Sequence, residues 1–254
     1  MEYKYLLTEL KDNILTITLN RADVRNAFCW DLFLDLNYAL MDAHEDKEVR
    51  VVVLTGAGKA FSGGLDLKEG MGKWGTPRDD RKVIPMPELL FKHYTRPVIA
   101  AINGAAIGWG LTLTLLCDIR VAAESATMSM RFTEVGLIPE AGSPLILPQI
   151  VGIANALELG LTAKTIDAKE ALRIGLVNKV VPDDHLMPAA IEIAETIAEK
   201  SPLAIEFARR GFYDALSQTF DEQQNQEHTH FAKCAASRAF SDQRRKFADN
   251  KKRG

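Results

Sequence analysis

A mixed α/β fold built on parallel strands is predicted for this chain of 254 residues, on three observations. Through the first half, short runs rich in β-branched residues alternate with segments whose apolar residues recur at helical spacing. Two apolar runs, 51–54 and 98–102, each lead within a few residues into a glycine-rich turn. Beyond residue 150 the pattern turns helical. Alternation of this kind argues for a parallel sheet, because each helix carries the chain back to begin the next strand in the same direction.

The elements follow in order. Residues 14–19, Ile-Leu-Thr-Ile-Thr-Leu, read as a strand, and Phe33, Leu36, Leu40 and Ala43 fall on one face of a helix. The strand at 51–54 precedes the turn Ser62-Gly63-Gly64, and the strand at 98–102 precedes the turn Gly108-Trp109-Gly110. Between 69 and 95 the pattern lapses into a long Gly-, Pro- and charge-rich loop, in which Met71 and Trp74 are candidates for lining a pocket. Asp167-Ala168-Lys169-Glu170 has the form of a capping box, with Gly175 as the stop. Ser201-Pro202 starts a helix expected to reach about Ala215, and from 220 to 236 apolar residues are too sparse for a deeply buried helix. The expected division is a core over 1–197 and a helical region over 198–254.

Composition excludes several classes. With 47% apolar and 26% charged residues the chain can bury a substantial core. A net charge of −3 gives no footprint for nucleic acid or an acidic membrane, and the local runs Arg244-Arg245-Lys246 and Lys251-Lys252-Arg253 read as solvated helix surface. The three cysteines, Cys29, Cys117 and Cys234, are odd in number and widely spaced, which fits free thiols in a reducing compartment, with Cys117 in the core. No signal-like segment, long apolar run or lipidation motif is visible, so a cytoplasmic location away from membranes is expected. His228 and His230 lack companions at metal-ligand spacing, so no metal site is expected there, while His93 is a candidate for approaching a pocket.

The glycine turns read either as ordinary strand-to-helix turns or as a device for chemistry. Where a strand gives way to a helix, glycine lets the backbone turn sharply and leaves N–H groups at the helix start without partners. Two such turns can hold one oxyanion. Neither is a nucleotide loop: one lacks the third glycine of the dinucleotide fingerprint, the other the Lys-Ser/Thr ending of a phosphate loop.

Arg25-Asn26-Ala27-Phe28, the run from Lys59-Ala60-Phe61-Ser62-Gly63-Gly64 through Leu65-Asp66-Leu67, and Arg96-Pro97-Val98 through Asn103-Gly104 together resemble the successive signatures of the crotonase superfamily, the enoyl-CoA hydratase/isomerase family. The resemblance continues through Cys117-Asp118-Ile119-Arg120, Ile138-Pro139-Glu140-Ala141-Gly142 and Ala168-Lys169-Glu170-Ala171, and loosens from about Phe220. It implies ββα turns stacked in a short superhelix, a C-terminal helical region that assembles trimers or dimers of trimers, and an acyl-CoA thioester as substrate. Coenzyme A would be part of the substrate, with no other cofactor.

By the same resemblance, the backbone N–H groups of Gly63 and Trp109 would form the oxyanion hole, Trp109 standing where the family usually has glycine. Substrate would also meet Arg25, Ala27, Ala60, Ser62, Asp66, Leu67, Gly108, Thr112 and Phe132. Hydratases of the family use two glutamates, whose places fall here on Thr112 and Phe132, neither of which can act as a carboxylate base. Glu140, eight residues after Phe132, stands where isomerases of the family carry an acid. The resemblance therefore implies a Δ3,Δ2-enoyl-CoA isomerase with Glu140 moving the proton. Two alternatives stay open: an enoyl-CoA hydratase, and a non-catalytic CoA-binding or scaffold subunit. For Glu140 itself the competing reading is a charge in a first helical turn after Pro139, favoured by the helix dipole. Glu134 is expected to be solvated.

Overall fold

The computed structural model describes residues 3–69, 86 and 89–250, so Met71 and Trp74 lie outside the described residues. Two sheets form the scaffold. The larger has the order β1-β2-β3-β5-β7-β10, from Leu6–Lys11, Ile14–Leu19, Val51–Gly56, Val98–Ile102, Ile119–Ala123 and Lys179–Val181. Only the β1–β2 hairpin in it is antiparallel. The smaller has the order β4-β6-β8-β9, from Ala60–Ser62, Ala105–Ile107, Thr127–Ser129 and Ile166–Asp167, and is parallel apart from its last pair.

The period of two divides each central strand between the sheet's faces. Val51, Val53, Ile99, Ala101 and Val121 meet Leu186, Ala189, Ala190 and Ala194 of a helix, while Val52, Leu54, Ala100, Ile102 and Ala122 enter the main core on the other face. All of these are buried.

In chain order the helices are α1 (Trp30–Glu45), α2 (Trp109–Leu115), α3 (Ser143–Thr162), α4 (Ala168–Arg173), α5 (Leu186–Ala198), α6 (Pro202–Asp214), α7 (Phe220–Ala235) and α8 (Arg238–Asn250). The predicted face of α1 is buried, from Phe33 to Ala43. α3 is long and apolar enough to cross a membrane by length and composition. Ile146, Leu147, Val151 and Leu159 turn into the core, while Leu145, Ile153, Leu157 and Leu161 face solvent.

Two local expectations are modified. Asp167 does cap α4, accepting from the Glu170 N–H at 2.8 Å, but the Glu170 carboxylate turns to Arg173 at 2.6 and 2.7 Å, so the box is half made. A complete box occurs instead at Thr219 and Glu222. Pro139 and Glu140 are not a first helical turn: α3 begins at Ser143, after Ala141 and Gly142 in the left-handed region, and Glu140 contributes only its carbonyl, which accepts from the Ser143 N–H at 3.0 Å. The helix-dipole reading of Glu140 loses its structural basis.

Candidate active site

Both glycine-rich turns stand at the edge of the smaller sheet, one after β4 and the other after β6, which pair in parallel. They interlock through two glycines. A Cβ on Gly110 would lie 2.6 Å from the Ser62 carbonyl oxygen and 2.7 Å from the Ser62 Cβ. A Cβ on Gly64, whose φ is +95°, would lie 2.7 Å from the Ile107 carbonyl oxygen and 3.8 Å from the Trp109 nitrogen. Any side chain at either position would wedge the turns apart.

Hydrogen bonds decide which N–H groups of the first turn are available. That of Gly63 donates to the Arg25 carbonyl at 2.8 Å, that of Gly64 to the Ser62 Oγ at 3.2 Å, and that of Asp66 to the Phe28 carbonyl at 2.9 Å. Gly63 is therefore corrected as an oxyanion donor, since its N–H is already spent. The Leu65 N–H has no acceptor among the described residues. Its direction is fixed by its own peptide plane: the Gly64 carbonyl accepts from the Phe28 N–H at 2.7 Å, and in a trans peptide the N–H points the opposite way. In the second turn the Trp109 N–H opens α2 and likewise has no acceptor among the described residues, while the Gly108 carbonyl accepts from the Thr112 N–H at 3.0 Å.

Leu65 and Trp109 line one cleft of about 110 Å³, together with Gly63, Gly64, Ile107 and Gly108 on one side and Phe132, Val135 and Leu137 on the other. Leu67 and Arg131 complete it. Arg131 pairs with Glu134 at 2.8 Å, and the Glu134 side chain is solvated as expected, 55% exposed. The Trp109 indole is buried against Phe28 and Phe33, with ring centroids 6.2 and 5.9 Å away, and its Nε1 has no acceptor among the described residues.

Of the predicted residues, the structure brings Gly63, Leu67, Gly108, Trp109 and Phe132 to the cleft. The others, Glu140 among them, do not line it. Arg25 holds Gly63, and the Ala27 carbonyl accepts from Arg21 Nη1 at 2.6 Å. Arg21 also pairs with Asp66 at 3.2 Å. Ala60, Ser62 and Thr112 are buried. Sequence reasoning missed Leu65, although it directly follows the two glycines, and it missed Arg131, Val135 and Leu137, whose approach depends on tertiary folding. His93 lines a separate cavity with Tyr94, Arg209 and Tyr213. Among the described residues no cluster of three metal-ligating side chains occurs, and His230 instead stacks on Phe207 at 4.0 Å.

Two features bear on proton transfer. Thr112 is fully buried and its Oγ1 has no partner among the described residues, whereas Thr114 on the same helix bonds back to the Leu111 carbonyl at 2.7 Å. Glu140 follows the cleft-lining Leu137 in sequence, has no ion-pair partner among the described residues, and has its pKa raised by desolvation although its side chain reaches solvent.

Comparison with known proteins agrees with this arrangement. The enoyl-CoA hydratase/isomerase family model matches residues 9–253. The chain is 34% identical over 259 residues to a short-chain-enoyl-CoA hydratase of Clostridium acetobutylicum, covering 99% of this chain and 97% of that one. It superposes on an enoyl-CoA hydratase from Bacillus anthracis with a TM-score of 0.87 and 33% identity, over 97% of both chains. A monofunctional enoyl-CoA isomerase from Mycobacterium smegmatis gives a TM-score of 0.74 and 33% identity, over 87% of this chain and 98% of that one. With its parallel sheets, interlocked glycine turns and full-length family match, this chain belongs to the enoyl-CoA hydratase/isomerase family and is an enzyme of the crotonase superfamily.

Proposed function

We propose that the enzyme binds an unsaturated acyl-CoA and moves its double bond from C3 to C2. The observation carrying this reading is the choice of carboxylates around the cleft. The two hydratase glutamate places hold Thr112 and Phe132, both buried and neither able to take a proton from water at neutral pH. Asp66 is tied to Arg21 and Glu134 to Arg131. Among the described residues of these motifs, Glu140 combines a place three positions after the cleft-lining Leu137, no ion pair, and a raised proton affinity. Those properties suit a group that must take a proton and return it.

In this reading the thioester oxygen sits between the N–H groups of Leu65 and Trp109. Glu140 removes a proton from C2, and the electron pair delocalises onto the thioester oxygen as a dienolate, which the two donors stabilise. Losing one such donor typically costs about 3 kcal/mol of barrier. The same carboxylic acid then returns the proton at C4, leaving the double bond between C2 and C3, so substrate and product have the same composition. The reaction calls for no cofactor beyond the coenzyme A of the substrate.

A hydratase reading is favoured by the relatives named as hydratases and by the unpartnered Thr112 Oγ1, which suits holding a water. The test is a direct comparison on purified protein: kcat/KM for converting a 3-enoyl-CoA to its conjugated 2-enoyl form, against kcat/KM for hydrating the 2-enoyl form. The first should be larger. Hydration at an equal or greater kcat/KM would overturn the isomerase reading.

We further propose that copies of the chain assemble, as a trimer or dimer of trimers, through the C-terminal helical region, 198–254. Phe212, Phe220 and Phe231 there are 74 to 80% exposed. Exposed aromatic groups of this size are stabilised by burial. Light scattering should give three or six times the mass of one chain, and a monomer would overturn this assignment.

A further inference from the structure

Ser62 is fully buried in β4 and does not line the cleft, yet it meets both glycine turns, at Gly64 and at Gly110. Its hydroxyl donates to the Asn26 carbonyl at 2.9 Å and accepts from the Gly64 N–H at 3.2 Å. Its backbone and Cβ are the surfaces against which Gly110 closes at the start of α2.

Asn26 is itself immobilised. It is fully buried, with its Oδ1 accepting from the Arg21 N–H at 2.8 Å and its Nδ2 donating to the carbonyls of Ala57 and Ala60 at 2.9 and 2.8 Å. The relay thus runs from a fixed anchor, Asn26, through one hydroxyl, to the peptide immediately before the one carrying the Leu65 N–H. We infer that Ser62 is a positioning residue for the oxyanion hole: its hydroxyl holds the Gly64 N–H while the Phe28 N–H holds the Gly64 carbonyl, and the two bonds together set the aim of the Leu65 N–H. The inference rests on the assignment of Leu65 and Trp109 as the donors. It replaces the expectation that Ser62 contacts substrate.

A donor that is merely misaimed leaves ground-state binding nearly intact and weakens the bond to a charged oxygen, which is more directional and stronger. Ser62→Ala removes the relay without adding bulk next to Gly110. Its kcat should fall about tenfold, less than the ~10²–10³ of an outright lost donor, with KM little changed.

The deciding readout is the infrared stretch of the thioester carbonyl in bound butyryl-CoA, labelled with ¹³C at that carbon. In the unaltered enzyme the band should shift to lower frequency on binding, and in Ser62→Ala the shift should shrink. Ser62→Cys, which restores a weaker donor and acceptor, should fall between the two, and it carries the comparison if the alanine variant does not fold. A full-sized shift in the folded variant would overturn the role of Ser62 while leaving the donors in place. No shift in the unaltered enzyme would overturn the donor assignment and this inference with it.

Discussion

Arg209 and Asp118, on elements far apart in the sequence, meet through the Nε of the guanidinium and both carboxylate oxygens, at 2.8 and 3.0 Å. Both side chains are largely buried. Arg209 spends its remaining donors on the carbonyls of Leu90 and Tyr94, while Asp118 also accepts from the Tyr213 hydroxyl and the Val98 N–H. One arginine therefore fastens α6 to the chain that enters β5.

Removing it strands a buried carboxylate. Arg209→Met should lower stability by about 3–5 kcal/mol, and Arg209→Lys should restore only part of this, since an ammonium cannot reproduce the planar fork. Urea unfolding followed by circular dichroism measures both. A loss below about 1 kcal/mol for the methionine variant would show that the hub is dispensable.

Glu140→Gln keeps size and polarity and removes the base. If Glu140 carries the proton, kcat should drop by on the order of 10²-fold or more with KM for acyl-CoA similar. Unchanged turnover in the pure variant rejects the assignment.

The pH dependence has a definite sign. Desolvation raises the Glu140 pKa, so the carboxylate form needed to take a proton is lost at a higher pH than for an ordinary glutamate. The acid limb of kcat/KM should lie above about pH 4.3, the unperturbed value. For stability the sign reverses. The folded state holds this proton more tightly than the unfolded state, so Glu140 costs stability as pH rises through that window, and Glu140→Gln should be neutral or slightly stabilising at pH 7. An acid limb at or below the unperturbed value would contradict the role.

Neighbouring glycines should respond in opposite ways. A Cβ on Gly63 would meet Arg25 atoms at 3.5 Å, an ordinary contact, whereas one on Gly64 would press the Ile107 carbonyl at 2.7 Å in a left-handed conformation. Gly63→Ala should keep most of the activity, and Gly64→Ala should lose both activity and at least about 1 kcal/mol of stability. Steady-state kinetics and thermal melts of the pair test this, and a Gly64→Ala enzyme as active and as stable as the unaltered one would overturn the interlocking of the turns.

Trp109 separates its backbone from its side chain. Trp109→Ala keeps the backbone donor but empties a space against Phe28 and Phe33, at a cost of about 3–5 kcal/mol. Trp109→Phe should cost much less, because it refills most of the volume and removes an indole N–H that has no acceptor among the described residues. Kinetics across a series of acyl lengths should show a changed preference with kcat retained for the best substrate. Loss of turnover with every acyl length in the folded phenylalanine variant would mean the indole takes part in the chemistry.

Local periodicity made the scaffold legible. The strand at Ile14–Leu19 and the buried face of α1 need only spacings of two and of three to four, which tertiary contacts did not override. What sequence could not see were choices among partners. Glu170 sits at the right distance to complete a capping box, but Arg173 on the same helix face offers two charge-assisted bonds and takes it. Motif spacing located the turn but not the N–H that is free in it, because which of four consecutive N–H groups lacks an acceptor depends on Arg25, Ser62 and Phe28, two of them from a distant loop. Glu140 was visible as an acid in the right motif, and its surroundings were not, because they depend on where α3 begins.

The interlocking of Gly64 and Gly110 also bears on motion. Because the two turns pack backbone against backbone with no room for a side chain between them, they are expected to open as one cooperative unit. Amide hydrogens on β4 and at the start of α2 should then exchange with deuterium at matched rates despite the forty-odd residues between them. Brief excursions would then displace the Leu65 and Trp109 N–H groups together, so that at any instant the cleft presents both of them or neither.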